Sequence, residues 1–427
     1  MRVFLIKNIN IVDPEEGVKE RYDILIEGER IKKIEKGIKG EGFEVIDGEN
    51  LYAFPGLIDA HTHLREPGFE DKETIETACK AAAKGGFVAV FAMPNTDPSM
   101  DRGPVIRYVR EKAKMVDLCE VFPIGAITKG RKGKELADFY EMINEGTIGF
   151  SDDGDFVQNS KLMQNALYYT RDFNLPLIQH AEDKFLCEEG VANESPFTLS
   201  LGLKGRPREG EIIAVLRDIT LLRKTKGRLH IAHVSARETV DIIEKAKEEG
   251  LNVTCEVTPH HLILTEKAIE GFNTDAKVNP PLREEEDREK LIEGLKRGII
   301  DIIATDHAPH RLQDKEKEFD FASPGISGLE TALSLVLTFF YHKNILDLKD
   351  IARVMSYNPA CIFKIDGFGK IKENYFANLT IVDLNEEWEV KPEEFVSKGK
   401  NTPFKGYKLK GKVKYTFYKG KITYKEE

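Results

Sequence analysis

Histidine is concentrated at the ends of apolar, β-branched segments in the middle of the chain. Eight of the ten histidines lie there: His61, His63, His180, His233, His260, His261, His307 and His310. His61 and His63 are two residues apart, and alternate residues of a strand project to the same side, so both imidazoles can reach one ion. Two histidines with oxygen ligands suit zinc, and also cobalt or manganese. This spacing predicts a metal centre, which His180, His233 and Asp306 join from other segments.

The elements that must position these residues repeat eight times. Each unit is an apolar run that ends in polar residues and is followed by a helical pattern, as over residues 72–86 and 238–250. The apolar runs span 57–64, 87–95, 121–128, 147–154, 175–183, 228–235, 251–261 and 300–310. Eight such units predict an α/β fold, a (β/α)8 TIM barrel with its active site at the carboxyl ends of the strands. The main alternative is an open doubly wound sheet. It is disfavoured because no glycine-rich dinucleotide-binding motif follows any early strand of this sequence.

Both ends of the chain are rich in strand patterns instead. We expect N-terminal strands over 3–9, 23–27, 30–34 and 44–47. We expect C-terminal strands over 378–382, 407–409, 412–418 and 421–424, with Lys-Gly turns between the last three. The predicted organisation is a small β domain built from residues 1–53 and 367–427, with the barrel over 54–366 between them.

Composition narrows the class of protein. The chain has 427 residues with 63 Lys and Arg against 73 Asp and Glu, a net charge of −10 that argues against a general nucleic-acid binder. The first apolar run, 3–6, is too short for a signal-peptide core, and no segment is apolar enough to span a membrane. Five scattered cysteines without a C-x-x-C pair indicate reduced thiols. We therefore expect a cytoplasmic protein that binds neither nucleic acid nor membrane.

Several motifs together carry a family resemblance. They are PGLIDAHTHLREPG, MPNTDP, QHAED, IAHVS, CEVTPHH, VNPPLR and ATDHAPH. With these motifs, the whole chain resembles the dihydroorotase family of the amidohydrolase superfamily, in its single-chain bacterial form (type I). The resemblance implies a zinc-dependent hydrolase with one or two ions per subunit. Such an enzyme interconverts N-carbamoyl-L-aspartate and L-dihydroorotate in pyrimidine biosynthesis.

The resemblance also implies a metal-ligand set. By position, one zinc belongs to His61, His63 and Asp306, and a second to His180 and His233. Many relatives bridge the two ions with a carboxylated lysine at the end of strand 4, where this chain reads GFSDDGD. The match is to the subgroup with a bridging aspartate, at the position of Asp153. Asp152 would point to the opposite side of an extended segment and cap a loop.

Substrate contacts follow from the same resemblance. Arg65 should face the same side as His63, and a guanidinium fork fits a carboxylate. The family places the substrate carboxylate against Arg65, Asn95 and His310, with His63 also beside the substrate. Residues that match a ring contact and a backbone contact are Asn279, Pro324 and Gly325. The charged segment 310–321 is interpreted as a lid or binding loop, with a plain surface loop as the alternative.

The implied reaction opens and closes a cyclic amide. A metal-activated hydroxide attacks the ring carbonyl, and Asp306 acts as general base and then as general acid. His260 and His261 are not assigned as ligands, and a role in orienting neighbours is favoured.

Two other functions stay open from the sequence. One is another cyclic amidase, hydantoinase-like or allantoinase-like, which the missing lysine disfavours. The other is an inactive barrel that serves as a scaffold for aspartate transcarbamoylase. We expect a homo-oligomer, and an active enzyme in complex with that transcarbamoylase is also compatible with the sequence.

Overall fold

The computed structural model describes residues 3–426, and its strands are spread along the whole of that range. They are β1 (Val3–Asp13), β2 (Gly17–Glu27), β3 (Arg30–Glu35), β4 (Glu44–Asp47), β5 (Tyr52–Pro55), β6 (Leu57–Thr62), β7 (Phe87–Ala92), β8 (Glu120–Pro123), β9 (Phe150–Ser151), β10 (Leu177–Gln179), β11 (Ala192–Asn193), β12 (Gly205–Arg206), β13 (Leu229–Ile231), β14 (Val253–Val257), β15 (Ile302–Ile303), β16 (Leu379–Glu389), β17 (Lys408–Tyr418) and β18 (Lys421–Lys425).

The helices lie between the strands of the central region and after β15. They are α1 (Ile75–Lys84), α2 (Gly103–Val116), α3 (Phe139–Asn144), α4 (Ser160–Phe173), α5 (Lys184–Cys187), α6 (Pro196–Ser200), α7 (Glu209–Thr225), α8 (Arg237–Glu248), α9 (Pro259–Ile263), α10 (Glu285–Lys296), α11 (Leu312–Lys315), α12 (Ala332–Val336), α13 (Leu348–Ala352) and α14 (Asn358–Ile362). Helix α1 shows why such segments start where they do. The Thr74 side chain caps it by accepting a hydrogen bond from the Thr77 amide.

Eight parallel strands close a barrel. One group is β6-β7-β8 and the other is β9-β10-β13-β14-β15. Parallel bridges join the groups at both seams, Gly125 to Phe150 and Thr62 to His307. Seven of the predicted apolar runs contain one of these strands and the run 121–128 overlaps β8, so the predicted (β/α)8 barrel is confirmed. Strands β6 and β7 are buried at every residue, as expected for strands that have helices outside and side chains inside.

A buried carboxylate fastens the seam between the first and eighth strands. Asp59 on β6 is fully buried, and its carboxylate accepts hydrogen bonds from the Thr305 amide at 3.0 Å and from the Thr305 hydroxyl. It also accepts one from the His61 amide at 3.2 Å. Burial raises the pKa of Asp59 to about 6 in spite of these bonds. The residues on either side of the seam, His61 and Asp306, are thereby fixed relative to each other.

A second sheet uses strands from both ends of the described chain. Its order is β18-β17-β16-β5-β1-β2-β3, with β4 paired to β1. The predicted Lys-Gly turn between 407–409 and 412–418 is wrong: the chain runs through it as the single strand β17. Gly411 absorbs the irregularity at a φ of +91°, a conformation that glycine adopts without steric cost.

No helix within residues 3–426 is long and apolar enough to cross a membrane. The cysteines of the described chain are unpaired, with Cys79, Cys119, Cys187 and Cys255 buried and Cys361 exposed.

Candidate active site

A cavity of about 210 Å³ opens at the carboxyl ends of the barrel strands. It brings together every metal-ligand and substrate-contact residue predicted from the sequence except His61, which lies fully buried beneath it. The residues lining it are His63, Arg65, Asn95, Asp153, Gly154, His180, His233, Asn279, Asp306, Ala308, His310, Ser323, Pro324 and Gly325.

The first cluster of candidate ligands combines residues from β6 and from the end of the eighth strand. His63 Nε2 lies 3.0 Å from Asp306 Oδ1, and His61 Nε2 lies 3.7 Å from the same oxygen. One ligand atom from each of these three residues fits within 4.8 Å of the others, close enough for one ion.

The second cluster lies on the other side of Asp153. His180 Nδ1 and His233 Nε2 are 2.9 Å apart, and they lie 3.6 and 3.7 Å from Asp153 Oδ1. The same oxygen is 3.3 Å from His61 Nε2, while Asp153 Oδ2 is 3.5 Å from His63 Nε2. Asp153 Oδ1 thus lies between His61 and the second cluster, while Asp153 Oδ2 faces His63 of the first cluster.

The chemistry of this donor set fits divalent metal. His61 Nε2 and Asp153 Oδ1 are buried and have no hydrogen-bond partner among the described residues. A buried polar atom left unsatisfied costs about 1–3 kcal/mol, so this arrangement needs an additional partner. Burial raises the pKa of Asp153, but the surrounding histidines outweigh burial and hold it well below its usual value. The carboxylate is therefore ionised, as a metal ligand must be.

Three residues of the site adopt left-handed backbone conformations. The φ angles are +64° at Arg65, +47° at Asp306 and +31° at His233. Such angles are costly for residues other than glycine and cluster at functional sites, where the surrounding structure holds them. Here they turn side chains inward just where each strand has ended.

Glu256 is a site residue that the sequence analysis missed. Its carboxylate is fully buried on β14 and lies 2.6 Å from His61 Nδ1 through Oε1 and 3.1 Å from His230 Nε2 through Oε2. His230 in turn contacts the Thr254 hydroxyl at 2.8 Å through Nδ1. Burial raises the pKa of Glu256, but the two histidines lower it to about 2. A carboxylate that accepts the Nδ1 proton of His61 leaves Nε2 free to bind metal. The sequence signal is a lone glutamate inside an apolar strand.

The candidate carboxylate-binding residues lie together on one wall. Arg65 Nε donates to the Pro309 carbonyl at 3.2 Å, and no carboxylate of the described chain lies within ion-pair distance of its guanidinium. Asn95 Oδ1 is 2.9 Å from His63 Nδ1, which leaves its amide NH2 group toward the cavity. His310 Nε2 is 2.9 Å from the Pro324 carbonyl. Burial lowers the pKa of His310 to about 2, so this ring is neutral.

Asn279 lies on the opposite wall, where Arg206 orients it. Arg206 Nη1 donates to Asn279 Oδ1 and to Glu182 Oε2, both at 2.5 Å. Asn279 Nδ2 is 3.1 Å from His180 Nε2. The sequence analysis did not identify Arg206, which lies on the two-residue strand β12, where the sequence has no periodic pattern.

The segment 310–321 is exposed at most of its residues and buried at only a few. It contains α11, and Asp314, Lys315 and Phe319 within it are buried. Asn401, from the C-terminal part of the chain, donates to the carbonyls of Ala308 at 3.0 Å and Gly325 at 2.9 Å. Asn401 was also missed, because no motif marks it.

His261, His307 and Asp152 make their hydrogen bonds outside the two clusters. His261 Nε2 is 3.0 Å from the Pro280 carbonyl, and His307 Nδ1 accepts a hydrogen bond from the Gly328 amide at 3.2 Å. His260 is buried beside the ring of His261. Asp152 accepts from the amides of residues 127 and 128, and so fastens the loop after β8.

The sequence of this chain is similar to those of known proteins. A family model described as "Dihydro-orotase-like" matches residues 51–239. The chain is 47% identical over 426 residues to a protein named dihydroorotase from Caldicellulosiruptor saccharolyticus, covering 99% of both chains. It is 46% identical to the Aquifex aeolicus protein of the same name, covering 100% of both.

Solved structures give a matching fold. An L-hydantoinase (dihydropyrimidinase) from Arthrobacter aurescens superposes with a TM-score of 0.89 at 25% identity, covering 100% of this chain and 96% of that one. A dihydropyrimidinase from Brevibacillus agri superposes with a TM-score of 0.86 at 23% identity, covering 99% and 95%.

Proposed function

Because this chain belongs to the dihydroorotase family, we propose that its strand-end site cyclises N-carbamoyl-L-aspartate to L-dihydroorotate and hydrolyses the ring in reverse. The product is an intermediate of pyrimidine biosynthesis. The observation that supports this proposal is Arg65, a half-buried arginine with no carboxylate partner in the described chain, on the wall of a cavity whose floor is a cluster of histidines and aspartates. A cyclic amide that bears a carboxylate matches both features, since its carboxylate can pair with Arg65 and its amide carbonyl can face the histidine and aspartate cluster.

The reaction of this family depends on a bound metal. The residues proposed to hold the metal here are His61, His63, Asp153, His180, His233 and Asp306. Zinc is the proposed metal, with one or two ions per subunit, because imidazoles dominate the donor set. A divalent ion held there would act as a Lewis acid toward the amide carbonyl. It would also lower the pKa of water, so that hydroxide is available to attack near neutral pH.

The protein's own groups bind the substrate and orient it. The Arg65 guanidinium would pair with the substrate carboxylate bidentately, and the free NH2 of Asn95 would donate to it. Neutral His310 lies beside them, held by Pro324. Asn279, held by Arg206, would hydrogen-bond the ring amide, and the Pro324–Gly325 backbone would cover the ring. These contacts fix which carbonyl of the ring faces Asp306.

Asp306 is the proposed proton carrier. In the hydrolytic direction water adds to the ring amide carbon, the C–N bond breaks, and the departing nitrogen needs a proton. The Asp306 carboxylate accepts the proton that the water loses and returns it to that nitrogen. Burial raises the pKa of Asp306, but His63 and His61 outweigh burial and keep it below its usual value, so it starts as an acceptor. Cyclisation runs the same transfers in reverse.

Hydantoinase activity is the second candidate, favoured by the fold match to the Arthrobacter enzyme. It is disfavoured by Asp153 at the position where hydantoinases are expected to carry a lysine. An uncharged cyclic ureide would also leave the Arg65 guanidinium without a carboxylate to pair with.

The test is turnover on a matched pair of substrates. Ultraviolet absorbance at the amide band follows hydrolysis of dihydroorotate and of dihydrouracil, the same ring without its carboxylate, with metal content measured on the same sample. We expect turnover of dihydroorotate at a kcat/KM at least about 100-fold higher, and an Arg65→Met variant that loses this preference. Preference for dihydrouracil would assign the protein to the hydantoinase group instead, and bound metal without turnover of either would favour the inactive scaffold. A cytoplasmic location, a homo-oligomer and a complex with aspartate transcarbamoylase stay predictions.

A further inference from the structure

Two buried lysines lie behind the cavity wall that residues 323–325 form. Lys277 is 6% exposed and Lys315 is 5% exposed, and neither side chain lines the cavity. Both ammonium groups are directed at the backbone of the loop that follows α11. No carboxylate lies within 4.0 Å of either ammonium nitrogen in the described part of the chain.

Lys277 holds the middle of this loop. Its Nζ donates to the carbonyls of Phe319 at 2.6 Å and Asp320 at 3.0 Å, and it lies 5.3 Å from the centre of the Phe319 ring. The Lys277 backbone carbonyl accepts a hydrogen bond from the Gly325 amide at 2.8 Å. One residue therefore contacts both the middle and the end of the loop.

Lys315 holds the end of the loop. Its Nζ donates to the carbonyls of Ser323 at 2.9 Å and Gly325 at 3.3 Å. Its own carbonyl accepts from the Thr274 hydroxyl at 2.8 Å, which connects it to the segment that precedes Lys277. The two lysines thus reach the loop from adjoining segments and bind four of its carbonyls.

The buried charges of Lys277 and Lys315 reduce the stability of the fold. Burying an ammonium group without a carboxylate costs free energy that backbone carbonyls offset only in part. Burial accordingly lowers the pKa of both lysines to about 8. If these positions only filled space, an apolar side chain of similar length would be more stable. Their presence therefore indicates that the loop must be held in a particular position.

The end of the loop leaves little room for another position. Gly325 has a φ of +143°, and a Cβ atom there would lie 2.7 Å from both the Cβ and the carbonyl oxygen of Ala308. The Pro324 carbonyl binds His310. A displacement of the loop would therefore move Gly325 away from the eighth strand and release the ring of His310.

We propose that Lys277 and Lys315 are positioning residues for substrate binding, which hold the Pro324–Gly325 backbone and, through it, His310 against the substrate. This inference rests on the proposed function, because it takes residues 324–325 as a wall of the substrate site. The lysines touch neither the substrate nor the candidate metal ligands. Their loss should affect the binding of substrate rather than the chemical step.

Steady-state kinetics of Lys277→Met and Lys315→Met test this role. We expect KM for dihydroorotate to rise by about 10-fold or more in each, as expected from the loss of hydrogen bonds to a charged group, with kcat within about threefold and metal content unchanged. Lys247→Met is the matched control. It removes an ammonium that donates to the Ile299 carbonyl and the Asp301 carboxylate near the amino end of β15, and its KM should stay at the wild-type value. A fall in kcat at unchanged KM, or an equal KM rise in the control, would overturn the proposal.

Limited proteolysis reads the loop without using activity. Phe321 is 70% exposed within the loop and is a chymotrypsin site. Cleavage after Phe321 should be at least about fivefold faster in the two lysine variants than in the wild type and in Lys247→Met. If a methionine variant does not fold, Lys315→Arg, which keeps the charge, should retain slow cleavage and near-normal KM.

The two readouts separate the possible failures. If the wild type does not turn over dihydroorotate but the lysine variants are cleaved faster, the proposed function fails and the anchoring of the loop stands. Unchanged cleavage in the lysine variants refutes the anchoring, whatever the kinetics show.

Discussion

Glu256→Gln should weaken metal binding while leaving the barrel intact. The substitution keeps the shape of a fully buried side chain whose two oxygens contact His61 Nδ1 at 2.6 Å and His230 Nε2 at 3.1 Å. The glutamine oxygen can still accept the His61 proton, and its NH2 group can donate to His230 if that ring gives its own proton to Thr254. The substitution removes the negative charge behind His61, a candidate metal ligand.

The size of the effect follows from the hydrogen bond that loses its charge. A bond to an ionised partner contributes about 1.5–3 kcal/mol and a neutral one about 0.5–1.5 kcal/mol, so the difference is about 1–1.5 kcal/mol. At 1.4 kcal/mol per factor of ten, the dissociation constant of the metal should rise about 5- to 12-fold. This range reaches only the lower limit of the roughly 10–100-fold that is typical for partners of metal-binding histidines.

Competition of metal-free protein with a chromophoric zinc chelator measures this constant, and a thermal melt of the same sample reports folding. Glu73→Gln is the matched control, since Glu73 is an equally buried glutamate beside a histidine, His307, that belongs to neither metal cluster. It should lose stability and keep its metal affinity. The reasoning is refuted if Glu256→Gln binds zinc within about twofold of the wild type, or if both variants weaken binding equally.

Four further outcomes are expected. Chelation should abolish turnover and lower Tm, and zinc should restore both, because a ligand that binds only the folded state stabilises it; activity that survives exhaustive chelation would contradict a metal-dependent site. Asp306→Asn should bind dihydroorotate within about threefold by calorimetry but lose at least about 100-fold in kcat, as expected for removal of a general base, and near-normal turnover would assign the proton transfer to another group. Asp153→Ala should lower the metal content of protein that holds two ions to one, with unchanged stoichiometry as the opposing result. Asp59→Ala should reduce the free energy of unfolding, measured by urea titration, by about 2–4 kcal/mol, because it leaves the buried Thr305 and His61 amides unsatisfied. A loss of less than about 1 kcal/mol would mean that the seam does not depend on this carboxylate.

The barrel could be predicted because its signal is repeated. Each of eight apolar runs gave one strand, since a strand buried on both faces needs continuous apolar residues and the polar residues can only follow at its end. The full length of the C-terminal strand β17 could not be predicted from the sequence. Lys410-Gly411 is a sequence that also suits a turn, and only pairing with β16 along its whole length decides that the strand continues.

The candidate metal ligands could be named from the sequence because the family motifs mark them. The residues that hydrogen-bond to the site residues and orient them could not be named from the sequence. Glu256 and Arg206 act through partners far away in sequence, His61 and Asn279, so no local spacing reveals them. Asn401 is the extreme case, since its contacts with residues 308 and 325 arise only after the C-terminal segment has folded back onto the barrel. Long-range polar contacts of this kind are set by the tertiary structure alone.

The sheet built from both chain ends has a consequence during synthesis. Strand β5 is complete once Pro55 has left the ribosome, but its partner β16 begins only at Leu379. At about 5–20 residues per second, that edge waits on the order of 15–70 s for its neighbour. An unpaired edge invites pairing with other nascent chains, and short strands and proline are two devices that discourage it. At four residues and with Pro55 at its end, β5 has both, so the half-finished sheet is protected while translation proceeds.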